Sequence, residues 1–223
     1  RRCGSPGGRS RRAGRRAPSA PQGVRPTIQR LVDSMLNTPA VVLNGRLEIV
    51  TANALGRALF SPVYAQAEGG DGPPSNARFV FLDPHATTFF REWDTVANDT
   101  VAILRAEAGR DPYDRSLSDL VGQLSTRSED FRRRWAAHDV RIHATGTKLF
   151  HHPVVGDLDL PYESLPLAPG SSTSLVAYSP EPGSSSHDTL ALLASWAASE
   201  SGSGRSTMKR ATPPNSQSRD DPT

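Results

Sequence analysis

The sequence has little that would support a fold held by disulfides, by a thiolate metal site or by a membrane. Its single cysteine, Cys3, excludes an intramolecular disulfide and a zinc site built from several thiolates. No apolar run approaches the ~20 residues that cross a bilayer, and residues 1–20 lack the apolar segment of a signal peptide. We therefore predict a cytoplasmic protein that does not enter a membrane.

Acidic residues are missing from the start of the chain. Residues 1–25 contain eight Arg and no Asp or Glu, whereas residues 26–200 contain 14 Lys and Arg against 21 Asp and Glu. The net charge of +3 therefore describes the ends of the chain and not its body. An acidic body gains nothing from a phosphate backbone, which argues against DNA binding by this part of the chain alone.

Large apolar side chains are scarce in residues 1–25 and 201–223. Such segments bury too little surface to offset their chain entropy, so we predict that both are disordered. The Arg-rich head has the charge to attach to nucleic acid or to an anionic membrane, although a plain disordered segment is at least as good an interpretation. The predicted domain spans residues 26–200.

Between the two ends, the apolar spacing predicts a hairpin, then helices, then more strands. Asn44-Gly45 between apolar runs is typical of a hairpin turn. The spacing changes to a period of two from residue 140, and Leu158, Leu160 and Tyr162 alternate with acidic residues. The helices between these regions are predicted to be a short one from Asn53 that stops before Pro62, a long one from Pro84 to about residue 108, one near Ser116 and one from Ser128.

Two strands, a helical insertion and three further strands is the order of a PAS-like fold. We therefore predict an α+β domain with a five-stranded antiparallel sheet, a helical insertion between strands two and three, and a closing helix. One face of the sheet would pack against the inserted helices. Small ligands bind in pockets between such layers.

Several stretches resemble one known family, the ligand-binding domain of MmyB-like transcription regulators, which lies C-terminal to an XRE-type helix-turn-helix. Single pieces are weak signals, but the set occurs in the right order over most of residues 25–196. The matching stretches are residues 39–60 (PAVVLNGRLEIVTANALGRALF), 81–93 (FLDPHATTFFREW), 117–148, which contains LSDLVGQLSTRSEDFRRRWAAHDV, 152–165 (HPVVGDLDLPYESL) and 175–184 (LVAYSPEPGS).

The resemblance implies a PAS-like fold, a pocket for a fatty-acid-like ligand and a DNA-binding domain upstream. Residues 1–25 have no amphipathic helices and cannot form that helix-turn-helix. The predicted function is a small-molecule sensor of a bacterial DNA-binding regulator, without enzymatic activity or cofactor. Its expected partner is an apolar small molecule, with DNA reached only through the absent helix-turn-helix and a homodimer left open. The alternatives are a structural dimerisation module with a filled core and an unrecognised enzyme.

Candidate ligand contacts follow from aromaticity and position. These side chains are as typical of a core as of a pocket, and Arg134 is also typical of a solvated helix face, where Asp130 would pair with it. As a pocket residue, its planar guanidinium would suit a ligand carboxylate. The predicted contacts are Trp93, Phe131, Arg134, Trp135, His138, Phe150, His152, Tyr162 and Tyr178.

Two further interpretations are weaker. His143 would lie near His151 across a predicted hairpin, but no carboxylate or thiolate at ligand spacing joins them, so we predict no metal site. His138-Asp139 are neighbours that do not face each other, and no serine lies in a nucleophile-elbow sequence. We predict no catalytic residues.

Overall fold

The computed structural model describes residues 24–70, 72–137 and 145–207, and its centre is a five-stranded sheet. Every neighbouring pair of strands in the sheet is antiparallel, and the spatial order is β2-β1-β5-β4-β3. The strands are β1 (Ala40–Leu43), β2 (Ile49–Ala52), β3 (Thr145–His152), β4 (Gly156–Pro166) and β5 (Ser174–Tyr178).

Most of the helices in the described residues separate β2 from β3. The helices are α1 (Pro26–Ser34), α2 (Ala54–Leu59), α3 (Ser61–Glu68), α4 (Asn76–Leu82), α5 (Ala86–Phe89), α6 (Trp93–Arg110), α7 (Arg115–Arg127), α8 (Glu129–Ala136) and α9 (Ser185–Thr207). This arrangement confirms the predicted α+β fold, with a helical insertion between the second and third strands. None of the described helices is long and apolar enough to span a membrane.

Most residues of the two predicted tails lie outside the part of the chain that the structure describes. Residues 1–23 and 208–223, for which we predict disorder, lie outside the described residues. Helix α9 continues beyond residue 200 to Thr207, so it crosses the expected boundary with the C-terminal tail. The division of the chain into two tails and one domain stays a prediction.

The β1–β2 hairpin forms at Asn44-Gly45, as its sequence predicts. The Asn44 side-chain oxygen accepts hydrogen bonds from the backbone N–H groups of Arg46 and Glu48, both at 3.0 Å, and so replaces main-chain partners within the turn. Leu47 takes a left-handed conformation, with φ of 59°, and β2 begins only at Ile49. The turn is therefore longer than its two-residue signal suggests.

The long helix expected from Pro84 to about residue 108 is two helices. The chain leaves helical geometry after α5, where Phe90 pairs with Phe150 at the edge of β3. The Arg91 N–H donates to the Leu149 carbonyl at 2.9 Å. Pairing with a distant strand outweighs the local helical preference here, and the apolar spacing of the segment holds no sign of that partner.

Two prolines take positions other than the predicted ones. Pro84, predicted at the first position of a helix, lies in the turn before α5. Pro62 was expected to follow the end of a helix, but it occupies the first turn of α3. Helix α7 is capped by Asp114, whose carboxylate accepts from the Leu117 N–H at 3.2 Å, two positions before the predicted cap at Ser116. The expected cap of α8 is confirmed, because the Ser128 side chain accepts from the Phe131 N–H at 3.1 Å.

The two faces of the sheet are covered differently. The inner face packs against the inserted helices and α9 and carries the main hydrophobic core. On the outer face, a second cluster forms where Val32 of α1 packs with Ala40, Val42 and Leu175. Strands β1 and β5 therefore have both faces buried, while the outer side of β3 and β4 carries exposed residues such as Leu165.

Candidate ligand-binding cavity

A cavity of about 410 Å³ lies between the inner face of the sheet and helices α4 and α6. This volume is within the ~300–1,000 Å³ that is usual for small-molecule sites. Its walls are mostly apolar. The apolar and aromatic lining residues are Leu43, Leu47, Phe60, Val80, Phe90, Val96, Ile103, Ala106, Pro166, Val176, Tyr162 and Tyr178.

Helix α6 supplies one wall through residues that repeat at helical spacing. Val96, Thr100, Ile103 and Glu107 follow one another at intervals of four and three, which places them on one face of the helix. That face mixes aliphatic side chains with a hydroxyl and a carboxylate. The helix therefore offers the cavity both apolar contact and hydrogen-bonding groups.

The sheet supplies the facing wall through alternate residues of its strands. Val176 and Tyr178 lie two apart on β5, and Tyr162 on β4 is paired with Tyr178 in the strand register. The ring centroids of the two tyrosines are 6.0 Å apart. Complete burial of Tyr178 raises the pKa of its phenol strongly, so this side chain faces the cavity in its neutral form.

Lys148, Asp99 and Tyr162 form the polar end of the cavity. The Lys148 Nζ lies 5.1 Å from the centre of the Tyr162 ring, a cation–π distance. Burial lowers the pKa of Lys148, and the Asp99 carboxylate offsets part of that effect. Burial also raises the pKa of Tyr162, and Asp99 adds to the rise. Charges of both signs therefore meet at this end.

A smaller cavity of about 170 Å³ joins the main one at this polar end. Val96, Asp99, Lys148 and Tyr162 line both spaces. The remaining walls of the smaller cavity include the hydroxyl-bearing residues Thr95, Thr145 and Thr147 and the exposed Glu92. The main cavity thus adjoins a smaller polar recess, several of whose lining residues are exposed.

Glu107 and Arg110 line the main cavity near the β1–β2 turn. Their side chains form an ion pair, and the Arg110 guanidinium also donates to the Gly170 carbonyl at 2.9 Å. The Glu107 carboxylate lies against Gly45, where a β-carbon would collide with it. Glycine at this turn therefore leaves room for the carboxylate as well as suiting the hairpin.

Asn76 adds an unused acceptor to the cavity wall. Its backbone N–H donates to the Leu47 carbonyl at 2.9 Å, which fixes the first residue of α4 against the hairpin. Its buried Oδ1 atom has no hydrogen-bond partner among the described residues. A buried polar atom of this kind is costly to leave unmatched, so a ligand with a donor would gain from meeting it.

The predicted ligand contacts divide into two groups. Tyr162 and Tyr178 line the cavity. His138 lies outside the described residues. The other six, Trp93, Phe131, Arg134, Trp135, Phe150 and His152, are not among the described residues that line the cavity. Their roles as ligand contacts stay predictions.

Four of those six form a cluster between α6 and α8. The Trp93 indole N–H donates to the Val80 carbonyl at 3.0 Å, and the Arg134 guanidinium lies 5.1 Å from the centre of the Trp93 ring. Arg134 also pairs with Asp94 and Asn98 across the helices. Phe131 and Trp135 stack with ring centroids 5.4 Å apart. These side chains support the helical wall from behind.

Phe150 and His152 belong to the core at the inner face of β3. The Phe150 ring lies 5.8 Å from Tyr178 and 5.9 Å from Phe60, both of which line the cavity. His152 is buried, and its Nε2 atom lies 3.0 Å from the Ala58 carbonyl. Phe150 therefore packs behind two residues of the cavity wall.

Lys148, Asp99 and Asn76 were missed by the sequence analysis. They lack the aromatic character by which the candidates were chosen. The position of Lys148 could have been predicted from the strand pattern. Lys148 lies two residues before Phe150 on β3, and residues two apart on a strand point to the same face of the sheet. Asp99 also had a signal, since it lies three residues after Val96, on the apolar side of its helix.

The described residues contain no group of three or more His, Cys, Asp or Glu side chains placed to hold a metal ion. His143 lies outside the description. His151 lies on the exposed side of β3, where its Nδ1 is 2.6 Å from the Asp157 carboxylate.

The fold and its cavity define a ligand-binding domain of the PAS-like type, with a cavity of small-molecule size between sheet and helices. Comparison with protein families makes the assignment specific. The MmyB-like transcription regulator ligand binding domain matches residues 24–193 of the chain. The chain belongs to this family, which is a family of regulator domains and not of enzymes. A search of curated proteins found no match.

Proposed function

We propose that this domain senses an apolar small molecule with an acyl-like chain and communicates its binding to the DNA-binding part of a bacterial transcription regulator. The observation that supports the proposal is the 410 Å³ cavity with apolar walls, in a domain whose family binds ligands for transcription regulators. Leu47, Val80, Ile103 and Val176 offer aliphatic contact along it. Burial of a chain against such walls is favourable by about 25 cal/mol per Å² of apolar surface.

The DNA-binding part is proposed to be an XRE-type helix-turn-helix, as in the regulators that this chain resembles. Its site of action would be the cytoplasm, and a homodimer would match operators with two half-sites. A ligand changes the regulator only to the extent that it prefers one arrangement of the domain over another. Helix α6, which lines the cavity and contacts α4, α5, α7 and α8, is the element we propose to respond.

A structural dimerisation module and an enzyme are the alternatives to this proposal. A dimerisation module needs no internal space, so the cavity favours ligand binding over a filled core. We propose binding without turnover, because Glu107 and Arg110 of the cavity form an ion pair with each other and the matching family is regulatory.

The test is thermal unfolding of the whole chain against a panel of acyl-chain ligands. At a free ligand concentration about 100 times Kd, a bound ligand adds about 2.7 kcal/mol to the free energy of unfolding. For a protein of this size that corresponds to a rise in Tm of roughly 5–10 °C. We expect a saturable rise with at least one ligand of the panel.

A matched pair of variants tests whether the ligand binds in the cavity. Ile103→Trp places a large ring in the cavity wall and is expected to abolish the rise in Tm. Leu192→Trp makes the same kind of change on the exposed side of α9, where Leu192 is 65% exposed, and is expected to keep it. A panel without any response, or an equal response in both variants, would contradict the proposal.

A further inference from the structure

Among the residues that the structure describes, the charged groups lining the main cavity are balanced. Asp99, Glu107, Arg110 and Lys148 line the main cavity, two of each sign. Arg110 forms an ion pair with Glu107. Lys148 and Asp99 line both the main cavity and the smaller recess, so a ligand at the polar end meets an ammonium and a carboxylate together.

The polar recess offers uncharged hydrogen-bonding groups in addition. Thr95 of α6 lies in its wall, and a threonine hydroxyl both donates and accepts hydrogen bonds. Thr145 and Thr147 also line the recess, but their side chains lie on the opposite side of β3 from Lys148, where the Thr145 hydroxyl donates to Glu163 at 3.1 Å. These two residues therefore contribute their main chains. The exposed carboxylate of Glu92 also lines the recess and makes it less favourable for an anion.

The edge of β3 adds main-chain groups on the same side. The Leu149 carbonyl accepts from the Arg91 N–H at 2.9 Å, so the main chain of Leu149 faces away from β4. Alternate residues of an antiparallel strand direct their N–H and C=O groups to the same edge. The main chains of Thr147 and Thr145 therefore face that edge too, and both residues line the recess.

We infer that the polar end of this cavity selects an acyl-chain ligand whose head group is uncharged and carries both a donor and an acceptor, in preference to a free carboxylate. This inference rests on the proposed function. Asp99 and Lys148 line the recess together, so a carboxylate that approached Lys148 would also be subject to repulsion by the Asp99 carboxylate. An amide head would donate to Asp99 and accept from Lys148 or from a main-chain N–H of β3, so no buried polar group would lack a partner.

The experiment compares three probes that share one chain: decanoate, decanamide and decylammonium. Calorimetric titration of the whole chain at pH 7.5 is expected to give a Kd for decanamide about tenfold lower than that for decanoate. Asp99→Asn removes one negative charge from the polar end with little change of shape. The affinity for decanoate should then rise at least about tenfold relative to the affinity for decanamide, which would reverse the preference.

The reciprocal variant is Lys148→Met, which keeps the length of the side chain and removes one positive charge from the polar end. In this variant, the affinity for decylammonium should rise at least about tenfold relative to the affinity for decanamide. Glu107→Gln, at the other charged pair, is the control and is expected to leave all three relative affinities within about twofold. Circular dichroism of each variant establishes that the fold is retained.

Several results would overturn the inference while leaving acyl-chain sensing intact. They are a wild-type preference for decanoate, equal affinity for decanoate and decanamide, no change of their ratio in Asp99→Asn, or a change that follows Glu107→Gln instead. Absence of binding by all three probes would overturn the proposed acyl-chain function itself, and with it the head-group preference.

Discussion

His152 illustrates how burial fixes the protonation state of a single side chain. Only 1% of its surface is exposed. Its Nδ1 atom accepts a hydrogen bond from the Val154 N–H at 3.2 Å, and its Nε2 atom donates to the Ala58 carbonyl at 3.0 Å. A protonated imidazole could not accept from Val154, so the ring is neutral with its proton on Nε2. Burial lowers the pKa of His152, and the bond to Ala58 offsets part of this effect.

This pKa predicts a dependence of stability on pH. As the pH falls below about 6.5, the unfolded chain binds a proton at residue 152 that the folded chain does not yet accept. The free energy of unfolding should therefore decrease with falling pH from about 6.5 down to the lowered pKa of the folded protein. His152→Gln should show a smaller decrease over this interval, measured by urea unfolding at a series of pH values.

A residue that does not titrate provides the control for His152. Leu192→Gln changes an exposed side chain of α9, and we expect it to keep the pH dependence of the wild type. If His152→Gln and the wild type lost stability in parallel between pH 6.5 and pH 5, the protonation of His152 would not be linked to folding.

At the scale of elements, the Asn53 side chain connects the start of α2 to β1 and to the residues that precede β1. The Asn53 side-chain oxygen accepts from the Gly56 N–H at 2.7 Å and from the Ala40 N–H at 3.1 Å. Its amide donates to the Thr38 carbonyl at 2.7 Å. A β-carbon on Gly56 would lie 2.5 Å from the Ala40 carbonyl oxygen. The first turn of α2 is therefore held directly against the start of β1.

Gly56→Ala should consequently destabilise the protein, although alanine normally favours a helix. The obstructing atom belongs to the main chain of β1 and cannot move aside, so we expect a loss of about 2 kcal/mol in the free energy of unfolding. Gly122→Ala, in the middle of α7, meets nothing within 4 Å and should stabilise by up to about 1 kcal/mol. Chemical unfolding of both variants measures the contrast, and two changes of the same sign would contradict it.

The sequence predicted those elements whose cause is local. The Asn44-Gly45 turn, the cap at Ser128 and the alternation of β4 are present because short-range geometry decides them. The interruption of the predicted long helix at Phe90 depends on the edge of β3, sixty residues away along the chain. No pattern within residues 84–108 contains that information.

The same distinction applies to the cavity. Tyr162 could be predicted because it continues an alternating strand pattern. The meeting of Asp99 with Lys148 could not, because it depends on how α6 lies across the sheet. Aromatic character proved a weak guide to the cavity wall, since large rings such as Phe131 also fill the core around it.

At the scale of the whole molecule, the sheet has a sheltered half and an open half. Strand β1 is paired on both sides and buried on both faces, whereas β3 lies at the edge and exposes residues 145–147. Backbone groups open to solvent exchange their hydrogens through small local motions, while sheltered groups exchange only through larger unfolding events.

Hydrogen exchange should therefore separate the two halves. We expect the amides of β1 to exchange at least about a hundredfold more slowly than those of Thr145 and Thr147, as measured by mass spectrometry of short peptides. Saturation with an acyl-chain ligand that occupies the recess should slow the hydrogen exchange of the amides in residues 145–147 more than that of the amides in residues 165–170. Equal protection of β1 and β3 in the free protein would show that the sheet opens as one cooperative unit.

The double burial of β1 and β5 has a mechanical consequence. A sheet is a single backbone thick, so Leu43 and Val176 touch the cavity while Val42 and Leu175, their immediate neighbours in the chain, touch α1 from behind. Tightly packed interiors transmit displacement instead of absorbing it. A ligand that displaced these strands would therefore also displace α1, because no further layer lies between the strands and that helix.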